Sequence, residues 1–274
     1  LTRLIAEQIC AIPNTIKTYD AELLSKTGST LKELAVEAAG AGAANVNPLL
    51  VKVAVVPITA GLGTIAGFTE AIFAIAVHLG FKALITVQSD VGGLVEAYRN
   101  KADIAIMADD NCYVAINLKT GSVAENDQAT ARGYTKALQK MAGGLHLKEV
   151  LLIGAGPVGI NAAEAIVEAG ARLVVFDINR EKEKCLAASI IKKYGVPVAS
   201  GLELEQALAG KPLIFDASPA DKIIKADLIS EETLVAAPGL PLGLEPEACQ
   251  KVKNRLIHDP LQIGTAVMLF KAMA

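Results

Sequence analysis

Apolar residues fall along this chain in short runs rich in β-branched side chains, separated by longer segments where they recur every three or four positions. That is the pattern of strands alternating with amphipathic helices. The runs are VKVAVVPI (51–58), ALITV (83–87), ADIAIM (102–107), VLLI (150–153), LVVFD (173–177), residues 196–199, PLIFD (212–216), LVAA (234–237) and RLIHD (255–259). From Val150 onward six of them alternate with helical stretches, the sequence form of a doubly wound parallel sheet. Helices are expected over 180–194 and near Leu204. The amino-terminal third reads differently. Residues 1–11 and 14–26 have helical character and are separated by Pro13, which lacks the N–H a helix ladder needs. Thr30, with Glu33 three residues later, is a capping-box signature for a helix running to about Gly40. AGAGAANVNP then reads as a linker, residues 117–126 as a loop or hairpin, and 127–143 as a helix. The last segment, 263–274, is apolar and helical in pattern, and it is expected to pack back on the first part of the chain.

The segment on which the pattern turns is VLLIGAGPVGINAAEAIVEAGARLVVFD, 150–177. A strand breaks into Gly154, Gly156 and Gly159, continues as a helix and returns as a strand ending in Asp177. Gly154 suits a tight turn, Gly156 lets a pyrophosphate approach bare backbone, and Gly159 lets the helix pack closely. The phosphates would lie on a helix N-terminus opened by Pro157 and Val158. Asp177 falls about 20 residues on, where ribose hydroxyls lie in dinucleotide sites, and its carboxylate favours NAD over NADP by repelling a 2′-phosphate. Ile178, next to it, is also expected to contact the cofactor. Arg180 is a cation that could pair with such a phosphate, cover an adenine, or serve only as a solvated helix start. A second strand, glycine loop and helix, TAGLGTIAG (59–67), is followed by a strand and Asp90, but its glycines are spaced GxGxxxG. This loop is read as lining the substrate side of a cleft.

Composition narrows the class. With 274 residues, 52% hydrophobic but only 4% aromatic, the chain can bury an aliphatic core, and two domains are expected. They are placed at 1–145, for substrate and dimerisation and including the final helix, and at 146–262, for the dinucleotide. Lys plus Arg at 26 against Asp plus Glu at 29 offers no basic excess for nucleic acid or an anionic membrane. No apolar stretch is long enough to span a bilayer, and no signal peptide is visible, so a cytoplasmic protein is expected. The four cysteines, at 10, 112, 185 and 249, show neither CxxC nor zinc spacing, and no metal is expected.

Ligands of doubly wound sheets bind beyond the carboxyl ends of the strands. The loops leaving those ends carry Ala217, Ser218 and Pro219, Ala237 and Pro238, and the segment His258 to Thr265 with Ile263. The run ADIAIM ends in ADDN, where Asp109 and Asp110 form either a solvated turn or a site.

Several segments together resemble the pyrrolysine synthase family, the NAD-dependent dehydrogenases that complete pyrrolysine biosynthesis. They are VPITAGLGTIAGFTEA (56–71), IMADDN (106–111), GAGPVG, FDASPAD (215–221), APGLP (237–241) and DPLQIGTAVML (259–269), and they span almost the whole chain. The resemblance implies a Rossmann domain preceded by a smaller domain of helices and a short mixed sheet, and assembly as a homodimer. It implies oxidation of the terminal amine carbon of 3-methyl-D-ornithine joined by an amide to the lysine ε-nitrogen. The resulting imine or aldehyde then closes on the ornithine α-amine and loses water. It further implies that Leu4 in a mobile first helix, Ile58, Thr59, Phe68 and Asp109 surround the substrate, with Ala60 standing where relatives can carry serine. His258 replaces an apolar residue. An amine of pKa about 10.4 must lose a proton before its carbon yields hydride, at a cost near pH 7 of about 4.6 kcal/mol. Asp109 is expected either to take that proton, with Asp110 raising its pKa, or only to hold the ammonium. A shikimate- or methylenetetrahydrofolate-type dehydrogenase would need a Lys/Asp pair or a folate-type lysine motif, which is not found. A non-enzymatic NAD sensor would need a basic DNA-binding helix-turn-helix, against a near-neutral first domain.

Overall fold

The computed structural model describes residues 4–274, and the chain divides into two compact units. Unit 1 holds the chain to Ser25, Ser29–Gly133 and Pro260–Ala274; unit 2 holds Lys26–Gly28 and Tyr134–Asp259. The division after Gly133 falls inside a helix that the sequence placed wholly in the first domain.

Unit 1 begins with α1 (Ala6–Ile9), α2 (Ile12–Thr27) and α3 (Leu31–Ala39). The helix expected over 1–11 is thus a single turn among the described residues. Leu4 precedes it in irregular backbone, and residues 1–3 lie outside the described part. Pro13 does not separate two helices. It sits in the first turn of α2, where its missing N–H removes no ladder bond. The capping box forms as expected: Thr30 Oγ1 accepts from the Glu33 N–H at 3.3 Å, and Glu33 Oε2 accepts from the Thr30 N–H at 2.8 Å. The expected linker instead winds into two 3-10 turns, Ala41–Asn45 and Pro48–Leu50.

The sheet of unit 1 has β1 (Lys52–Val55), β2 (Lys82–Ile85), β3 (Ile104–Ala108), β4 (Tyr113–Asn117) and β5 (Val123–Glu125), in the order β2-β1-β3-β4-β5. The first three run parallel, β2 after α4 (Phe68–His78) and β3 after α5 (Asp90–Arg99). β4 and β5 are antiparallel, so the sheet is mixed. Sequence reading missed β4. It is five residues long and its inward positions, Tyr113, Ala115 and Asn117, mix apolar and polar side chains. Asn117 Oδ1 accepts from the Lys119 and Thr120 N–H groups, which closes the hairpin.

α6 (Asn126–Met141) leads into unit 2, a single parallel sheet of β6 (Glu149–Ile153), β7 (Arg172–Phe176), β8 (Val198–Ala199), β9 (Leu213–Asp216), β10 (Leu234–Ala236) and β11 (Leu256–Ile257). Between them lie α7 (Pro157–Glu168), α8 (Arg180–Tyr194), α9 (Leu204–Leu208) and α10 (Pro246–Lys251), the last too short to show a period in the sequence. The order β11-β10-β9-β6-β7-β8 is the expected doubly wound sheet, with its switch point between β6 and β9. β6 and β9 are apolar almost throughout and buried on both faces. α11 (Gln262–Lys271) belongs to unit 1 and packs on α3 and α4. α6 and α11 meet through glycine. A Cβ on Gly133 would stand 2.3 Å from Ile263, and one on Gly264 would stand 2.4 Å from Thr130.

Candidate active site

In unit 2, β6 ends at Ile153 and the chain turns at Gly154, whose φ of +95° lies in the region that favours glycine. A Cβ there would press on the 217–218 backbone at 2.9–3.0 Å. Gly156 is the N-cap of α7, with nothing within 4 Å of its hypothetical Cβ, so the helix N-terminus opens onto free space. Gly159 is needed for a contact closer than the strand packing expected: its Cβ would fall 1.9 Å from the Gly154 carbonyl oxygen. Pro157 is exposed and Val158 half-buried beside it. After β7, Asp177 Oδ2 accepts from the Ala155 N–H and Oδ1 from the Asn179 N–H, both at 2.7 Å. These bonds fix a half-exposed carboxylate at the mouth of the turn, with Ile178 93% exposed next to it. Arg180 is engaged elsewhere. Its guanidinium bonds Glu183 at 2.9 Å, Glu203 at 2.6 Å and the Leu202 carbonyl at 2.6 Å, and stacks 5.6 Å over the Phe176 ring. A cation so neutralised is a poor partner for a 2′-phosphate.

The loop after β9 is held by Asp216, which sequence reading passed over although it ends a fully apolar strand. Its Oδ1 accepts from the Ser218 N–H at 3.1 Å and from the Ser218 hydroxyl at 2.7 Å. Its other oxygen is buried against the Gly243 backbone. Burial pushes this carboxyl up to about 6. The native state therefore keeps its proton over a range where an unfolded chain has lost it, and stability falls as pH rises from about 4 to about 6. Asp216→Asn keeps the acceptor for Ser218 and removes the buried charge. It is expected to gain up to about 3 kcal/mol at pH 8 relative to its effect at pH 4, read by denaturant titration of both chains. A pH-independent difference would refute the assignment. His258 Nδ1 donates to the Ala237 carbonyl at 2.7 Å, tying the exits of β10 and β11 together in unit 2. Ile263 lies in unit 1, whereas the other residues assigned to the cofactor lie in unit 2, and its side chain is fully buried against α6. Pro219 is exposed, and Ala217 and Pro238 are half-buried.

In unit 1 the parallel register pairs Val55 with both Ile85 and Ile106, so the chain leaves β1, β2 and β3 at one edge of the sheet. Ile58 and Thr59, Asp90, and Asp109 and Asp110 follow those three strands. Thr59 and Ala60 are exposed, and Ile58 and Phe68 half-buried. Two carboxylates hold the glycine loop. Asp90 accepts from Thr59, and Asp110 Oδ2 accepts from the Leu62 N–H at 2.8 Å. Gly61 is glycine because a Cβ would meet that Asp110 oxygen at 2.1 Å. Asp109 is exposed, and its Oδ1 accepts from the Asn111 and Cys112 N–H groups at 2.8 and 2.7 Å. Those bonds from Cys112 and Asn111 lower its pKa, the opposite of the rise that the base role, one of the two expected for Asp109, would need from Asp110. Among the described residues no group of three or more His, Cys, Asp or Glu could hold a metal, and no helix is long and apolar enough to cross a membrane.

A glycine turn without side chains, a helix N-terminus open beyond it and a carboxylate after the second strand fit a dinucleotide, and together with this fold they define an NAD(P)-dependent oxidoreductase. The match to known proteins is narrower. The model of the pyrrolysine biosynthesis protein PylD, N-terminal domain, matches residues 8–124, and that of the alanine dehydrogenase/PNT C-terminal domain matches 122–234. The chain is 34% identical over 226 residues to pyrrolysine synthase of Methanosarcina acetivorans, covering 82% of this chain and 84% of that protein. It is 33% identical to pyrrolysine synthase of Methanosarcina barkeri, covering 81% of each. The chain belongs to the pyrrolysine synthase family. In fold it is similar to a quinate dehydrogenase from Corynebacterium glutamicum in complex with NAD (TM-score 0.57, 16% identity, 81% of this chain and 93% of that one). It is also similar to a shikimate dehydrogenase in complex with NADP+ (TM-score 0.56, 16% identity, 83% and 91%).

Proposed function

We propose that this chain carries out the last step of pyrrolysine biosynthesis: oxidation of the terminal amine carbon of (3R)-3-methyl-D-ornithyl-N6-L-lysine. The imine hydrolyses to an aldehyde, releasing ammonia, and the ornithine α-amine condenses with it, losing water to give the pyrroline ring. The observation that carries this reading is the acidic edge of unit 1 in a chain of this family, with Asp109 exposed beside Asp110. NAD, when bound, supplies the hydride acceptor. Gly156 offers bare backbone to its pyrophosphate at the start of α7, and Asp177 accepts from its ribose hydroxyls, excluding a 2′-phosphate that Arg180, already paired, would not neutralise. In unit 1 Ile58 and Phe68 supply apolar wall, Leu4 and Ala60 border it, and Asp109 holds the substrate's ammonium. A carboxylate whose pKa is lowered is a weak base, so Asp109 serves as an anchor and the amine's proton passes to solvent. The test is NADH formation with the lysyl-methylornithine amide against ornithine and shikimate. Turnover of shikimate, or none of the amide, would overturn the reading. The chain is further proposed to act as a homodimer. Val91, Val95 and Tyr98, at 76, 42 and 56% exposure, form an apolar stripe along α5 that supports this, and a single-chain mass in sedimentation would refute it.

Asp177→Ala removes an acceptor from a half-exposed site. At the low end of a charged hydrogen bond, about 1.5 kcal/mol, NAD should bind roughly tenfold more weakly by calorimetry. Equal NAD and NADP affinity in the unmodified chain would contradict the assignment.

A further inference from the structure

Thr59 is exposed at the carboxyl edge of unit 1, yet its hydroxyl is not free to turn. Asp90 Oδ1 accepts from the Thr59 N–H at 2.8 Å, and Asp90 Oδ2 accepts from the Thr59 hydroxyl at 2.5 Å. Asp90 is held for this contact in a conformation few residues adopt. Its φ is +54°, in the left-handed region, and its own N–H donates to the Pro57 carbonyl at 2.9 Å. Strain at a residue that grips a neighbouring exposed side chain is the kind a surrounding structure maintains for a site. An ionised carboxylate can only accept, so the one hydroxyl proton of Thr59 is committed to it. What Thr59 has left to offer a ligand is oxygen lone pairs.

We propose that Asp90 is a positioning residue that makes Thr59 an acceptor-only contact, selecting an N–H donor, the substrate's ammonium, over groups that accept. This rests on the function proposed above and adds a determinant of specificity to it. The charge of Asp90 acts through Thr59, because the Thr59 hydroxyl and N–H take one site on each of its oxygens and Ser89 and the Ala60 N–H also donate to the carboxylate.

Asp90→Asn is a discriminating test, because asparagine tolerates the left-handed conformation and retains an oxygen for the Thr59 N–H. Its amide donates where Oδ2 accepted. The Thr59 oxygen then receives that donor and presents its proton outward, so the polarity of the contact is reversed. Binding to the full chain with NAD would be measured for the lysyl-methylornithine amide and for its analogue with methyl in place of the terminal amine. Asp90→Asn should weaken the amine ligand tenfold or more while leaving the methyl analogue and NAD unchanged. Thr59→Val should lose a comparable factor, and Asp90→Asn added to it should cost nothing more. Equal losses for both ligands would show that Asp90 merely supports the loop, and a further loss in the Thr59→Val background would show that its charge acts directly; either overturns the proposal. If the unmodified chain does not distinguish the amine ligand from the methyl analogue, the functional reading itself fails and this inference falls with it.

Discussion

Gly156→Val is expected to abolish NAD binding while leaving the chain folded. The two consequences separate because the Cβ of a side chain at this position has open space around it, with no atom beyond its chain neighbours within 4 Å. The backbone needs no glycine conformation at this point, since φ is −81°. The space it fills is that in front of the α7 N-terminus, where phosphate oxygens must reach the unpaired N–H groups of the first turn. Losing that approach removes the main anchoring contact, so calorimetry should detect no binding at millimolar NAD, with an unchanged melting temperature. Gly63→Val is the companion measurement. Gly63 has φ +77° in unit 1, so valine strains the loop that carries Thr59 and should harm substrate affinity or turnover with the NAD dissociation constant unchanged. Loss of NAD in the Gly63 variant alone would reverse the roles given to the two glycine loops.

Much of unit 2 was legible because each local signal and the topology agree. The central strands β6 and β9 are buried on both faces, the glycines have separate steric duties, and α8 runs over the residues its capping Asn179 and its terminating Gly195 mark out. Unit 1 was less legible where structure depends on partners distant in the chain. The strand β4 gains its identity from pairing with β3, and Pro13 reads as a break in the sequence yet functions as a helix start. The site divided in the same way. Gly154, Gly156, Gly159 and Asp177 announce themselves by spacing within one supersecondary unit. Asp90 and Asp110 each reach back to a loop 31 to 48 residues away, and no spacing rule encodes that contact. Asp216 carried a usable signal, an acid closing a run of buried residues. Its role in holding Ser218 depends on how the next loop folds over it.

The Asp109 carboxylate is where the proposed chemistry is most exposed to test. Asp109→Asn keeps an oxygen for the Asn111 and Cys112 N–H groups, so the turn after β3 should survive, and NAD binding with it. What disappears is the negative charge proposed to hold the substrate's ammonium. A hydrogen bond to a charged group is worth about 1.5–3 kcal/mol, so the Michaelis constant for the amide should rise about 10- to 150-fold. Turnover at saturation should change far less, and the ascending limb of its pH profile should remain, because the amine's own deprotonation still governs it. A general base would leave a different signature. Removing one typically costs about 10²- to 10⁴-fold in turnover and erases a limb of the profile. The hydrogen bonds that lower the Asp109 pKa argue for the first outcome, since they stabilise the ionised form and weaken its hold on a proton. Steady-state kinetics across pH on the two chains would decide. A large fall in turnover with a lost limb would make Asp109 the base, and near-normal values of both constants would reduce it to a turn residue and move the substrate site elsewhere.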